Sequence, residues 1–134
     1  MKDMELVGAA LEAMKSAYAP YSGFFVGAAL LCEGGEVYTG CNIENASYGA
    51  TCCAERTAIF RAVSEGKRKH KGIAVVGGRG GAVSSFCAPC GICRQVMAEF
   101  AAPDFFVLLF NGKETKKLLL SELLPHSFGS GNLT

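Results

Sequence analysis

With 134 residues, half of them hydrophobic and 19% charged, the chain is long enough for one domain whose apolar core needs no disulfide staples. The net charge of +1 argues against a polyanion-binding face, so nucleic acid is not an expected partner. No apolar run approaches the roughly 18 residues of a membrane-spanning helix. The mixed-charge start Met1-Lys2-Asp3-Met4-Glu5 lacks the apolar centre of a signal peptide, so no membrane association and a cytoplasmic location are expected.

In chain order, Met4, Leu6, Val7, Ala10, Leu11, Met14 and Ala17 recur at helical spacing, which predicts a helix over 3–17 ended by Pro20. Phe24 to Cys32 is a nearly continuous apolar run, Gly34-Gly35 a tight turn, and Glu36 to Gly40 a second strand. Residues 41–51 are polar and turn-rich, with Asn42, Asn45, Ser47 and Gly49, and read as a functional loop. Ala54, Ala58, Ile59, Ala62 and Val63 predict a helix over 52–65, closed by Gly66. Lys67-Arg68-Lys69-His70-Lys71 reads as a solvated connection. Ile73 to Val76 reads as a buried strand, 77–88 as a glycine- and serine-rich loop, and 91–100 as a helix. Phe105 to Phe110 and Lys113 to Leu118 are the last two strands, joined by Asn111-Gly112. Ser121 to Pro125 is a short helical turn, and the glycine-rich tail is loose. The order α-β-β-α-β-α-β-β, with no repeat or boundary, predicts a single α/β domain over 1–134: a three-layer α-β-α sandwich with a mixed five-stranded sheet.

The seven cysteines are odd in number, so they cannot all pair within the chain. In a reducing compartment such clustering points to metal or catalysis. Cys32 and Cys41 lie in apolar strand contexts and read as small core residues. Two stretches carry the chemistry: Cys53-Ala54-Glu55 and Pro89-Cys90-Gly91-Ile92-Cys93. Cys90 and Cys93 share a helix face, so both sulfurs can reach one ion. Cys53 and Glu55 point apart in mid-helix, but at a first turn the thiol can reach past the helix end. Both stretches therefore make best sense as helix N-termini, whose positive dipole ends favour thiolate. Three thiolates leave a fourth zinc position open, which is the pattern of a catalytic site. Glu55 is then placed to act as general base and acid, and Arg56 to draw charge off the sulfurs. Taken alone, C-x-x-C equally fits a redox dithiol or half of a structural zinc site, and a structural zinc or redox module stays a rival reading. His70 and His126 have no ligand-like neighbours.

Zinc nucleobase deaminases carry H-x-E followed by P-C-x-x-C, with the glutamate not a ligand; a three-cysteine form replaces the histidine, as Cys53 does here. The chain resembles cytidine deaminases of the small homotetrameric kind from roughly Ala17 to Gly129. The resemblance runs through Tyr21-Ser22, Phe24-x-Val26-Gly27-Ala28-Ala29-Leu30, Asn42-Ile43-Glu44-Asn45-Ala46-Ser47-Tyr48, Cys53-Ala54-Glu55-Arg56-Thr57-Ala58, Pro89-Cys90-Gly91-x-Cys93-Arg94-Gln95-Val96 and Glu122-Leu123-Leu124-Pro125-x-Ser127-Phe128-Gly129. It implies hydrolytic deamination of cytidine and 2′-deoxycytidine in pyrimidine salvage, with one zinc ion per chain on Cys53, Cys90 and Cys93. Asn42 and Glu44 would bond the ribose hydroxyls, Phe24 would pack on the pyrimidine, and the Ala54 backbone would read the base edge. Tyr48 and Phe128 would complete a neighbouring subunit's pocket in a homotetramer. Cys52, Cys87, the 77–88 loop and the 130–134 tail fit the pattern only loosely. Another aminopyrimidine nucleoside, or a nucleoside antibiotic, is the rival substrate.

Overall fold

Apolar residues on both sides of a strand require cover on both sides, and the two long apolar runs receive it. The computed structural model describes all 134 residues. Its helices are α1 (Asp3–Met14), α2 (Ala54–Ser64), α3 (Gly91–Phe100) and the single turn α4 (Leu120–Leu123). The strands are β1 (Phe24–Cys32), β2 (Val37–Cys41), β3 (His70–Arg79), β4 (Ala101–Phe110) and β5 (Thr115–Leu119). They form one five-stranded sheet in the order β2-β1-β3-β4-β5. β1 is antiparallel to β2 and β3, β3 is parallel to β4, and β4 is antiparallel to β5, so the sheet is mixed.

Alternation along the strands sorts the core into two layers. Ala28, Leu30, Ile73, Val75, Val107 and Leu109 pack with Ala58, Ile59 and Ala62 of α2 and Met97 of α3. Ala29, Leu31, Ala74, Val76 and Leu108 face the other way and pack with Leu6, Val7, Ala10 and Met14 of α1. The result is the three-layer sandwich. Two glycines let helices approach closely. A Cβ on Gly27 would collide with the Ala10 carbonyl and lie 2.6 Å from the Met14 nitrogen of α1. One on Gly40 would lie 2.5 Å from the Ala58 nitrogen and 2.7 Å from the Ala54 carbonyl of α2.

This topology positions the site. β2 and β3 are both antiparallel to β1, hence parallel to each other, and α2 is the crossover between them. α3 is the crossover from β3 to its parallel neighbour β4. Both helices lie on one face of the sheet. Both start beyond the carboxyl ends of parallel strands, where open α/β sheets form their crevices.

Several element bounds differ from the periodicity. α1 ends at Met14, six residues before Pro20, in a run of turn bonds from Lys15, Ser16 and Ala17 to the carbonyls three residues back. β3 extends from His70 to Arg79 because β1 offers it a partner at every position from Arg79 back to His70 except Lys71, where the register shifts. Gly77 and Gly78 therefore belong to a strand and not to the expected loop. His70 is wholly buried at the start of β3 and is not part of a solvated connection. β4 begins at Ala101 and includes Pro103. Cys32 is buried, whereas Cys41 on the edge strand is half-buried.

Candidate metal centre and active site

Cys53 and Cys90 hold equivalent positions. Each is the cap residue before its helix, in extended conformation (φ −71°, ψ 155° and φ −69°, ψ 166°). Each lends its carbonyl to the first helical bond, from Thr57 at 3.1 Å and from Arg94 at 3.0 Å. Neither thiol caps its own helix, so both sulfurs stay free to turn toward a shared point. Cys93 reaches that point from the first turn of α3 and is completely buried. The three sulfurs lie within 4.8 Å of one another. Cys53 Sγ is 3.8 Å from Cys90 Sγ, and Cys90 Sγ is 3.5 Å from Cys93 Sγ. Tetrahedral zinc, with Zn–S near 2.3 Å, sets sulfurs about 3.8 Å apart. The three thiols therefore fit that ion, and three of them leave a fourth position open. No disulfide forms; all seven cysteines are free.

The charges around the sulfurs follow from their crowding. Cys53 is pulled down to about 5, first by the Cys93 thiol donating toward it, then by the Arg56 guanidinium and the Cys90 thiol. Cys93 is pushed well above the ordinary thiol range by that same bond and by burial. One negative charge thus settles on Cys53, and the next costs more, so a dication is the natural counter-charge for the set. Arg56 Nη2 lies 3.5 Å from Cys53 Sγ and 3.5 Å from the Thr51 carbonyl. Its Nε is buried without a partner.

Glu55, in the first turn of α2, is only 4% exposed. Burial lifts its carboxyl to about 7, and the Cys53 charge adds to the effect. An acid poised near neutrality beside a metal-binding cluster can both accept and return a proton. Ala54, the first residue of α2, is fully buried next to it.

The substrate-facing candidates are held by backbone bonds. Asn42 Oδ1 accepts from the Val26 N–H at 2.9 Å, and its Nδ2 donates to the Phe24 carbonyl at 2.8 Å, so the amide locks the loop to β1. Glu44 accepts from the N–H groups of Tyr21 (2.9 Å) and Ser22 (3.1 Å) and from the Ser22 hydroxyl. These bonds, the hydroxyl foremost, hold its carboxyl below the usual range. Glu44 lines a cleft of about 310 Å³ with Tyr21, Ser22, Tyr48 and Thr51. Tyr48 is 74% exposed on a 3₁₀ turn (Tyr48–Ala50), 5.8 Å edge-on from the Tyr21 ring. Phe24, at the start of β1, stands over Gly77. A Cβ there would lie 3.2 Å from its Cε1, 3.1 Å from Val26 Cγ2 and 3.0 Å from Cys87 Sγ. Cys87 is pushed up to about 11, first by burial and then by the charges of Glu55 and Cys53. Phe128 is 58% exposed, and its carbonyl accepts from Gln95 Nε2 at 2.9 Å.

Sequence reasoning did not assign Ser22, Gly77, Arg94 or Gln95. Arg94 donates from Nε to the Pro89 carbonyl (2.7 Å) and from Nη1 to the Leu123 carbonyl (2.8 Å). All four act through partners distant in the chain or through backbone atoms, which leaves no periodic signal. Cys52 receives a weak contact from the Thr57 hydroxyl at 3.7 Å and lies outside the sulfur cluster.

Residues 1–109 match the family model described as the cytidine and deoxycytidylate deaminase zinc-binding region. A cytidine deaminase of Sporosarcina psychrophila is 48% identical over 131 residues, covering 97% of this chain and 93% of its own. One of Halalkalibacterium halodurans is 52% identical over 124 residues, covering 92% of this chain and 91% of its own. The crystal structure of cytidine deaminase from Burkholderia pseudomallei superposes with a TM-score of 0.87 at 46% identity, covering 96% of this chain and 100% of that one.

Proposed function

This chain belongs to the cytidine and deoxycytidylate deaminase zinc-binding family, and on that premise we propose that it hydrolyses cytidine and 2′-deoxycytidine to uridine and 2′-deoxyuridine, releasing ammonia. The observation that carries this reading is a buried carboxylate, Glu55, set beside three converging thiols on two helix N-termini. Zinc held by Cys53, Cys90 and Cys93 would lower the pKa of a water and make it nucleophilic near neutral pH.

The remaining work falls to the protein. Glu55 takes a proton from the attacking water and delivers it to ring N3, and then carries the proton of the new C4 hydroxyl to the departing amine, so that nucleoside and water become the 4-oxo product and ammonia. The Ala54 backbone reads the base edge. Arg56 donates toward the Cys53 sulfur and withdraws charge that would otherwise oppose water ionisation. Phe24 packs on the pyrimidine. Asn42 and Glu44 bond the ribose hydroxyls with acceptor and donor capacity left beyond their backbone bonds. The exposure of Tyr48 and Phe128 fits residues that complete a neighbour's pocket in a homotetramer. We place the enzyme in the cytoplasm, in pyrimidine salvage.

The purified protein should hold about one zinc per chain, as the open three-thiolate site implies, and should shift the ultraviolet spectrum of cytidine to that of uridine. Zinc-loaded protein that leaves the spectrum unchanged overturns the reading. Glu55→Gln should keep its zinc and lose about 10²- to 10⁴-fold in kcat.

A further inference from the structure

The C-terminal segment that carries Phe128 has little to hold it. Ser121, Glu122 and Pro125 to Phe128 are exposed, and His126 turns the chain in the left-handed region at φ 53°, which histidine enters more readily than most residues. Two consecutive side chains of α3 bracket this segment. Arg94 Nη1 donates to the Leu123 carbonyl at its near end, 2.8 Å away. Gln95 Nε2 donates to the Phe128 carbonyl at its far end, 2.9 Å away. The other end of the Arg94 fork grips the Pro89 carbonyl, just before Cys90. The helix that presents Cys90 and Cys93 is therefore also the mount of the tail.

We infer that Gln95 is a positioning residue for Phe128: its amide latches the Phe128 carbonyl and sets how far that ring reaches into the neighbouring subunit's pocket. The inference rests on the reading of Phe128 given above. Arg94 fixes the near end, so the latch at Gln95 decides where the far end comes to rest. The side chain of Gln95 hydrogen-bonds the Phe128 carbonyl and no cysteine sulfur. Its loss should move ring packing and leave metal and proton transfer alone.

Two substitutions test this in the zinc-loaded enzyme. Gln95→Leu removes the donor, and Gln95→Glu keeps the shape but turns an acceptor toward a carbonyl. Each should raise KM for cytidine about three- to tenfold, the worth of one hydrogen bond, with kcat and zinc content unchanged. An unchanged KM in both overturns the latch, as does a fall in kcat that tracks lost zinc. Mixed assemblies then separate the latch from the reading beneath it. Subunits carrying Glu55→Gln donate an intact tail to subunits carrying Phe128→Ala with a working Glu55. Restored KM in the mixture supports Phe128 acting across the interface. Adding Gln95→Leu to the donor should abolish the restoration, and undiminished restoration overturns the latch. If intact donors restore nothing, the cross-subunit reading falls and the latch with it, whereas restoration by a donor that lacks the Gln95 amide overturns the latch alone.

Discussion

His70 and Gly77 show what single residues do away from the sulfur cluster. His70 is fully buried against the Phe100 ring, 5.4 Å between centroids. Because the Lys67 carbonyl can only accept, the Nε2 that lies 2.8 Å from it carries the proton, and the bare Nδ1 has no partner. Protonating Nδ1 would bury a charge with nothing to receive it, so burial holds the imidazole below its ordinary value of 6.5. The fold prefers neutral His70, whereas the unfolded chain titrates normally. The contribution is therefore complete above the unfolded pKa and is lost as pH falls through it toward the folded value. Melting temperatures of the protein and of His70→Leu, measured from about pH 8 to about pH 5, should diverge in their slopes below about pH 6.5. Parallel curves would refute the assignment. At Gly77 the space of the absent side chain is occupied by Phe24, Val26 and Cys87. Gly77→Ala should push the Phe24 ring by a few tenths of an ångström and raise KM several-fold with zinc retained, and Cys87→Ala in the same chain should recover part of the loss by freeing the tightest contact.

At the scale of elements, α2 and α3 matter through where they begin. Their caps, Cys53 and Cys90, were legible because a cysteine two residues before a glutamate, and a Pro-Cys-x-x-Cys, make chemical sense only at a first turn. The length of β3 was not legible. Gly77 and Gly78 carry no strand signal of their own and are strand because the β1 edge completes their ladder. His70 was read with its charged neighbours for the same reason: burial at a strand start depends on Phe100, far along the chain. The seat of α2 on β2 depends on Gly40. Gly40→Ala would drive a methyl into the Ala58 nitrogen and Ala54 carbonyl, shift the helix that caps with Cys53, and cost about 1–3 kcal/mol in denaturant unfolding. It should also release zinc to a chromogenic chelator faster than the unaltered protein does, since the sulfur spacing depends on that helix start. Equal release would show that the cap position tolerates the shift.

The whole molecule leaves aromatic rings open to solvent. Tyr21 and Tyr48 line the cleft, and Tyr18, Phe24 and Phe128 are also exposed, alongside Ile43. Scattered apolar residues need no explanation, but exposed rings at a cleft mouth favour association. On the homotetramer proposed above, sedimentation should find four-subunit assemblies, and activity should fall on dilution below the assembly concentration. A fully active monomer would remove Tyr48 and Phe128 from the site. No helix is long and apolar enough to cross a membrane. The sequence by itself determined the three-cysteine metal cluster, the strand count and the layering, because short spacings and alternating hydrophobicity are properties of neighbours in the chain. Only the tertiary structure decided that Asn42 and Glu44 spend bonds on the backbone of β1 and of Tyr21-Ser22, that Gly77 makes room for Phe24, and that α3 bonds the tail. Those contacts join segments 16 to 53 residues apart along the chain, and nothing local in either partner records the meeting.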